Sequence, residues 1–210
     1  MADIFELFKK ISSGESAKRE PITYIVVGLG NPGDKYYTTR HNAGFLAIDY
    51  IAQKYSVKVD RVKFKALCAE AVIGGKTVLL MKPQTFMNLS GEAVKEAASF
   101  YKVPAENVVV ISDDVNLDVA RLRVRRKGSD GGQKGMRSIC EHLGTDAFPR
   151  IRIGVGQKPH PDYDMADWVL SEFSENDKKQ LFESFGRVCD GLEKLVAGDV
   201  DAAMQVCNGK

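Results

Sequence analysis

The sequence predicts one α/β domain in three layers (α/β/α), with helices on both faces of a twisted, mostly parallel mixed sheet. Three observations predict it. Short runs rich in β-branched and other apolar residues, at 24–27, 77–81, 108–112 and 150–155, have the length and composition of buried strands. Segments with helical spacing of apolar residues lie between them, and such alternation is the pattern of a sheet covered on both sides. At 210 residues the chain is long enough to bury one substantial core.

Residues 1–20 read as an appendage and residues 21–210 as the domain. In the appendage Ile4, Phe5, Leu7, Phe8 and Ile11 share one helical face, and 12–20 is polar and linker-like. The first strand, 24–27, runs into Gly28, Gly30 and Gly33, which let the backbone turn sharply and pass close to its neighbours. A polar loop over 34–39 follows, then a helix over 42–55 carrying Phe45, Leu46, Ile48 and Ile51. The three glycines spell G-x-G-x-x-G, the dinucleotide-binding fingerprint, and Asp49 stands where a ribose acid would. Two features argue against that reading and the oxidoreductase it implies. The fingerprint needs a helix to open directly on the glycines so that its amides face pyrophosphate. Here Pro32 disfavours helical backbone at Asn31, the loop continues to Thr39, and Asp49 falls inside a helix.

Strands over 64–73 and 77–81 are joined by Gly74-Gly75, a hairpin signal. In KPQTFMNLSG, Pro83 ends the strand and Ser90 is expected to cap a helix carrying Ala93, Val94, Ala97, Ala98 and Tyr101. The strand over 108–112 ends in Asp113-Asp114. Residues 121–127 alternate so that Arg121, Arg123 and Arg125 share one strand face. A glycine-rich loop over 128–135 leads to a helix over 136–143. After the last strand, Leu181, Phe182, Phe185, Val188, Cys189, Leu192 and Leu195 mark an amphipathic helix that stops near Gly198.

A net charge of +2 gives no global nucleic-acid footprint, so such a surface has to come from local clustering of Arg123, Arg125, Lys127, Lys134 and Arg137. The four cysteines, Cys68, Cys140, Cys189 and Cys207, form no CxxC or CxxH pair, which argues against zinc or a disulfide framework and fits a reducing cytoplasm. No apolar run has the length of a membrane span and no signal-peptide core is expected at the N-terminus. Ligands of open α/β sheets bind beyond the carboxyl ends of strands. Asn31, His41, Asn88 and one of Asp113 and Asp114 are therefore expected at one rim. A neutral imidazole takes a proton from water near neutral pH, and a carboxylate on its other nitrogen fixes the tautomer. Carboxamide N–H groups donate to a developing oxyanion.

GLGNPGDKYYTTRHNAG, KPQTFMNLSG, the strand ending in Asp-Asp, and GSDGGQKGMRSI followed by FPRIRIGVG resemble the bacterial peptidyl-tRNA hydrolase family, over about residues 24–185. The resemblance implies an esterase, without metal or cofactor, that cuts the bond between a peptide and the 3′ ribose of tRNA and so recycles chains dropped by the ribosome. It implies His41 as general base with Asp113 as its orienting carboxylate. Asn31 and Asn88 would bind the peptidyl end or the oxyanion, and Met87 and Tyr36 would wall the pocket. Arg125, Lys134 and Arg152 are expected on the tRNA, whose acceptor stem and 3′ CCA end would be the partner of a cytoplasmic monomer. Where the family usually has His-Asn within G-G-H-N-G, this chain has Gln133-Lys134, which removes a carboxamide; Lys134 cannot accept a hydrogen bond but can meet a terminal phosphate or ribose. Asn116 stands where an acidic residue is common. The alternative is a non-catalytic RNA-binding relative, since the fold is similar to that of plant splicing factors; His41, Asp113, Asn31 and Asn88, all present, favour the enzyme.

Overall fold

In the computed structural model, which describes residues 20–209, the elements follow in the order β1 (Tyr24–Gly28), α1 (Ala43–Lys54), β2 (Arg61–Lys63), β3 (Ala66–Ile73), β4 (Lys76–Pro83), α2 (Ser90–Tyr101), β5 (Val108–Asp114), β6 (Leu122–Arg125), α3 (Lys134–Leu143), β7 (Arg150–Gly154), α4 (Met165–Leu170), α5 (Glu175–Val196) and α6 (Val200–Asn208). The appendage expected over 1–20 lies, Glu20 apart, outside the described residues. The strands make one seven-stranded sheet, β2-β3-β4-β1-β5-β7-β6. Its four central strands, β4, β1, β5 and β7, run parallel, and the outer pairings are antiparallel.

Successive strand side chains point to opposite faces, and both faces here are covered. Val26, Leu80, Val109, Ile111, Ile151 and Ile153 pack with residues of α1, α5 and α6. Their neighbours Ile25, Val27, Leu79, Met81, Val108 and Val110 pack with residues of α2 and α3. Burial on both sides is why these strands read as apolar runs rather than as alternation.

The Gly74-Gly75 hairpin forms as expected, with Ile73 opposite Lys76 and both glycines at positive φ (+55° and +75°), the conformation a two-residue turn between twisted strands needs. The strand expected over 64–73 starts only at Ala66, as β3, because its first two residues form the turn from a short preceding strand, β2. Phe64 and Lys65 take φ of +54° and +53° and turn β2 back against β3. Side-chain burial compensates this backbone: the Phe64 ring lies within 5.3 Å of Phe100 and 5.5 Å of Tyr101, and the Lys63 ammonium sits 4.0 Å from the Phe100 centroid. Ser90 does not cap α2, because its hydroxyl donates backward to the Met87 carbonyl. The Gly91 N–H, an orphan donor of the first helical turn, is taken instead by Ser138 Oγ of α3 at 3.0 Å. At the far edge Asn208 of α6 lies alongside β6, its Oδ1 accepting from Val124 N–H at 2.6 Å and its Nδ2 donating to the Val124 carbonyl at 3.2 Å.

Two of the G-x-G-x-x-G glycines, Gly28 and Gly30, serve helix packing, while Gly33, at φ +104°, serves the turn that follows. A Cβ on Gly28 would overlap the Gly44 carbonyl of α1, one on Gly44 would overlap backbone atoms of Leu29 and Ile111, and one on Gly30 would strike the Phe45 ring. Helix α1 therefore crosses β1 and β5 at backbone contact, which brings the turn before it to the carboxyl end of β5. Asp49 points to Lys82, 2.5 Å away, as a helical residue in an ion pair.

Candidate active site

The turn Arg40–Asn42 precedes α1, and its His41 Nδ1 lies 2.9 Å from Oδ2 of Asp113 near the end of β5. Strand alternation separates the two aspartates. Asp113 turns toward His41, whereas Asp114 meets Arg152 Nε at 3.0 Å and accepts from Asn116 N–H and Nδ2 at 3.0 and 3.3 Å. Asp113 is therefore the imidazole's partner, and Asn116 serves the Asp114 turn. Burial is the largest influence on His41 and pulls its pKa down. The charge of Asp113 and the hydrogen bond to it push harder the other way, Lys134 opposes them, and the net value lies above the ordinary 6.5.

Asn31 is held from two sides. Asn42 Oδ1 accepts from the Asn31 N–H at 2.9 Å and Asn42 Nδ2 donates to its carbonyl at 3.0 Å. The Asn31 side-chain oxygen accepts from Met87 N–H at 2.9 Å. With its oxygen committed, the amide has only its N–H groups to offer to the cavity that Asn31 lines. Gln133 bridges from the opposite wall: its Nε2 donates to Asp113 Oδ1 at 3.0 Å, and its Oε1 accepts from Met136 N–H at 2.7 Å as the N-cap of α3. Lys134, the first residue of α3, is exposed at the cavity's mouth.

These groups line a cavity of about 800 Å³, which also takes in Phe86, Met87, Asn88, Arg152 and, from α4, Met165, Val169 and Leu170. The structure thus brings together His41, Asp113, Asn31, Met87, Asn88, Lys134 and Arg152. Two expected residues stand apart from the cavity lining. Tyr36 lies on the short turn Asp34–Tyr36, which hydrogen bonds back to Gly33, with the Lys35 ammonium over its ring; this local turn keeps it out of the wall it was expected to form. Arg125 is exposed on edge strand β6 opposite Arg150, and Arg150 pairs with Val110, three residues before Asp113. Gln133, Phe86 and the apolar face of α4 were not among the expected site residues. The signal for α4 is present in Asp164, whose carboxylate caps the Ala166 and Asp167 N–H groups, but a helix of six residues is too short for periodicity to reveal.

A sheet whose carboxyl rim carries a histidine–carboxylate pair beside oriented carboxamides has the make-up of an α/β hydrolytic enzyme. The family model described as peptidyl-tRNA hydrolase matches residues 25–210. The chain is 51% identical over 186 residues to a peptidyl-tRNA hydrolase of Caldicellulosiruptor bescii, covering 89% of this chain and 97% of that one. It is 47% identical to one of Clostridium botulinum, over 89% of this chain and 96% of that one. A crystal structure of peptidyl-tRNA hydrolase from Acinetobacter baumannii superposes with a TM-score of 0.83 at 31% identity, covering 90% of this chain and 96% of that one. This chain belongs to the peptidyl-tRNA hydrolase family. Among the described residues no helix is long and apolar enough to cross a membrane.

Proposed function

We propose that the chain hydrolyses the ester joining a peptide, or an N-blocked aminoacyl group, to the 3′ ribose of tRNA, by attack of a water that His41 deprotonates. Family membership supports the substrate class. The observation that carries the mechanism is the 2.9 Å contact of His41 Nδ1 with Asp113. In the neutral ring Nδ1 bears the proton and donates it in a hydrogen bond to the Asp113 carboxylate, so the Nε2 lone pair is the one available to a water in the cavity. As that water attacks the carbonyl carbon, its proton passes to Nε2 and negative charge gathers on the carbonyl oxygen, where the Asn31 N–H groups donate, with Asn88 on the same cavity wall. The imidazolium, balanced by Asp113, then returns the proton to the departing ribose oxygen. The carboxylic acid and free tRNA are the products.

Phe86, Met87, Met165, Val169 and Leu170 offer the peptide an apolar wall. Lys134, Arg125 and Arg152 are the cations assigned to the phosphates of the acceptor stem and the CCA end, Arg152 with part of its charge engaged by Asp114. The protein acts as a monomer in the cytoplasm. The non-catalytic RNA-binding reading has no use for a carboxylate buried against an imidazole, so that pair favours hydrolysis. The test is release of N-acetylaminoacyl groups from tRNA by the native chain and by His41→Ala. The substitution is expected to abolish release while tRNA binding persists; equal release by both proteins would remove the hydrolase reading.

A further inference from the structure

We infer that Gln133 is a positioning residue for the His41–Asp113 pair: its amide locks the carboxylate against the imidazole and ties the start of α3 to that pair. A carboxylate is fixed in rotation only when both oxygens are held. Asp113 Oδ2 meets His41 at 2.9 Å and Oδ1 meets Gln133 Nε2 at 3.0 Å. The orientation of the amide is set by its own other end. Its single carbonyl oxygen accepts from Met136 N–H at 2.7 Å, so only N–H can face Asp113. Packing holds the side chain from behind. Its Nε2 lies 3.2 Å from Met87 Sδ, and a Cβ on Gly135 would come within 2.6 Å of that sulfur and 3.1 Å of Gln133 Oε1. The His41–Asp113 pair, the N-terminus of α3 and Met87 thus meet at one amide.

An amide neither gains nor loses a proton over the range in which the protein is folded. Its donation to Asp113 therefore persists while His41 titrates, and the pair is pinned in both of the protonation states a catalytic cycle visits. The charged groups facing His41 are Asp113 from β5 and Lys134 from α3; Asp114 and Arg152, paired with each other, line the same cavity. The catalytic meaning of this role rests on the hydrolase reading, but the role itself is measurable without substrate.

Gln133→Glu separates the two functions of the side chain. A carboxylate still accepts the Met136 N–H and keeps the cap, while an acceptor replaces the donor that faces Asp113. On peptidyl-tRNA, kcat is expected to fall on the order of tenfold or more with KM unchanged. The added negative charge raises the pKa of His41, so the rising limb of the pH profile moves to higher pH. Gln133→His restores a ring N–H toward Asp113 and is expected to recover the rate near neutral pH while adding a second ionisation. Without substrate, the downfield His41 Nδ1–H proton resonance is expected in the native protein and in Gln133→His but not in Gln133→Glu, with a melting temperature that stays near the native one. If Gln133→Glu does not fold, Gln133→Met, of equal length and uncharged, carries the same expectation of reduced kcat and a lost resonance. A native rate, pH profile and resonance in the folded variant overturns the inference. If the native chain itself leaves peptidyl-tRNA uncut, the hydrolase reading fails and the resonance alone decides Gln133.

Discussion

The carboxamide of Asn42 grips the backbone of Asn31 at both ends, accepting its N–H and donating to its carbonyl at 2.9 and 3.0 Å. One buried side chain thereby fixes the loop that carries Asn31, the proposed oxyanion donor, to the turn that carries the imidazole. The two halves of the proposed chemistry are joined by the residue next to His41, which itself faces away from the cavity.

Asn42→Ala is expected to leave a buried N–H and a buried carbonyl unpaired, at about 1–3 kcal/mol, and to lower kcat because Asn31 loses its fixed aim. Denaturant unfolding gives the stability loss, and a peptidyl-tRNA assay at saturating substrate gives the rate.

The rate should rise with pH through the pKa of His41, above 6.5, because only the neutral ring accepts the water's proton. Asp113→Asn removes the charge that holds that pKa up and leaves burial to act, so the limb should move to lower pH while the plateau falls. Stability carries the opposite sign to activity. The folded state favours the protonated ring, so this contribution is fully present below the unfolded value near 6.5 and is lost as pH rises through the folded pKa. Unfolding midpoints of the native protein and of His41→Asn, compared across that window, check it.

Lys134→Gln removes the cation that pulls the His41 pKa down. The limb should shift to higher pH, the reverse of Asp113→Asn. If the lysine also contacts a phosphate, the salt dependence of tRNA binding should lose a slope of about one. Rate–pH profiles and binding titrations at several salt concentrations separate the two effects.

Gly44→Ala places a methyl group among backbone atoms of Leu29 and Ile111, which cannot rotate out of its way. A loss of about 1–3 kcal/mol is expected in thermal or denaturant unfolding. Activity of the surviving folded protein should fall as well, since the same crossing sets the separation of His41 from Asp113.

The strands with apolar runs, the Gly74-Gly75 hairpin, and the meeting of His41 with an aspartate at one rim were legible in the sequence, because periodicity, turn chemistry and the strand-end rule all act locally. So was the failure of the dinucleotide reading, since Pro32 and a polar loop stand where a helix would have to open. The turn at Phe64-Lys65 was not legible: two residues without glycine or asparagine adopt positive φ only because Phe64 gains a place under Phe100 and Tyr101, far off in sequence. The same limit hid Gln133. That it donates to Asp113 follows from where its carbonyl goes, and this depends on the backbone of α3. Tyr36 failed for the converse reason, a local turn drawing back a residue assigned by resemblance.

Asn208 matters for a different reason from any of these. The outermost strand of a sheet offers a row of unused amides to any passing chain, and such rows seed aggregation. By occupying both backbone groups of Val124, one carboxamide near the C-terminus acts as a surrogate strand and closes that row at its middle. Trimming the last few residues would therefore leave the catalytic groups untouched and still yield a protein that precipitates with its copies.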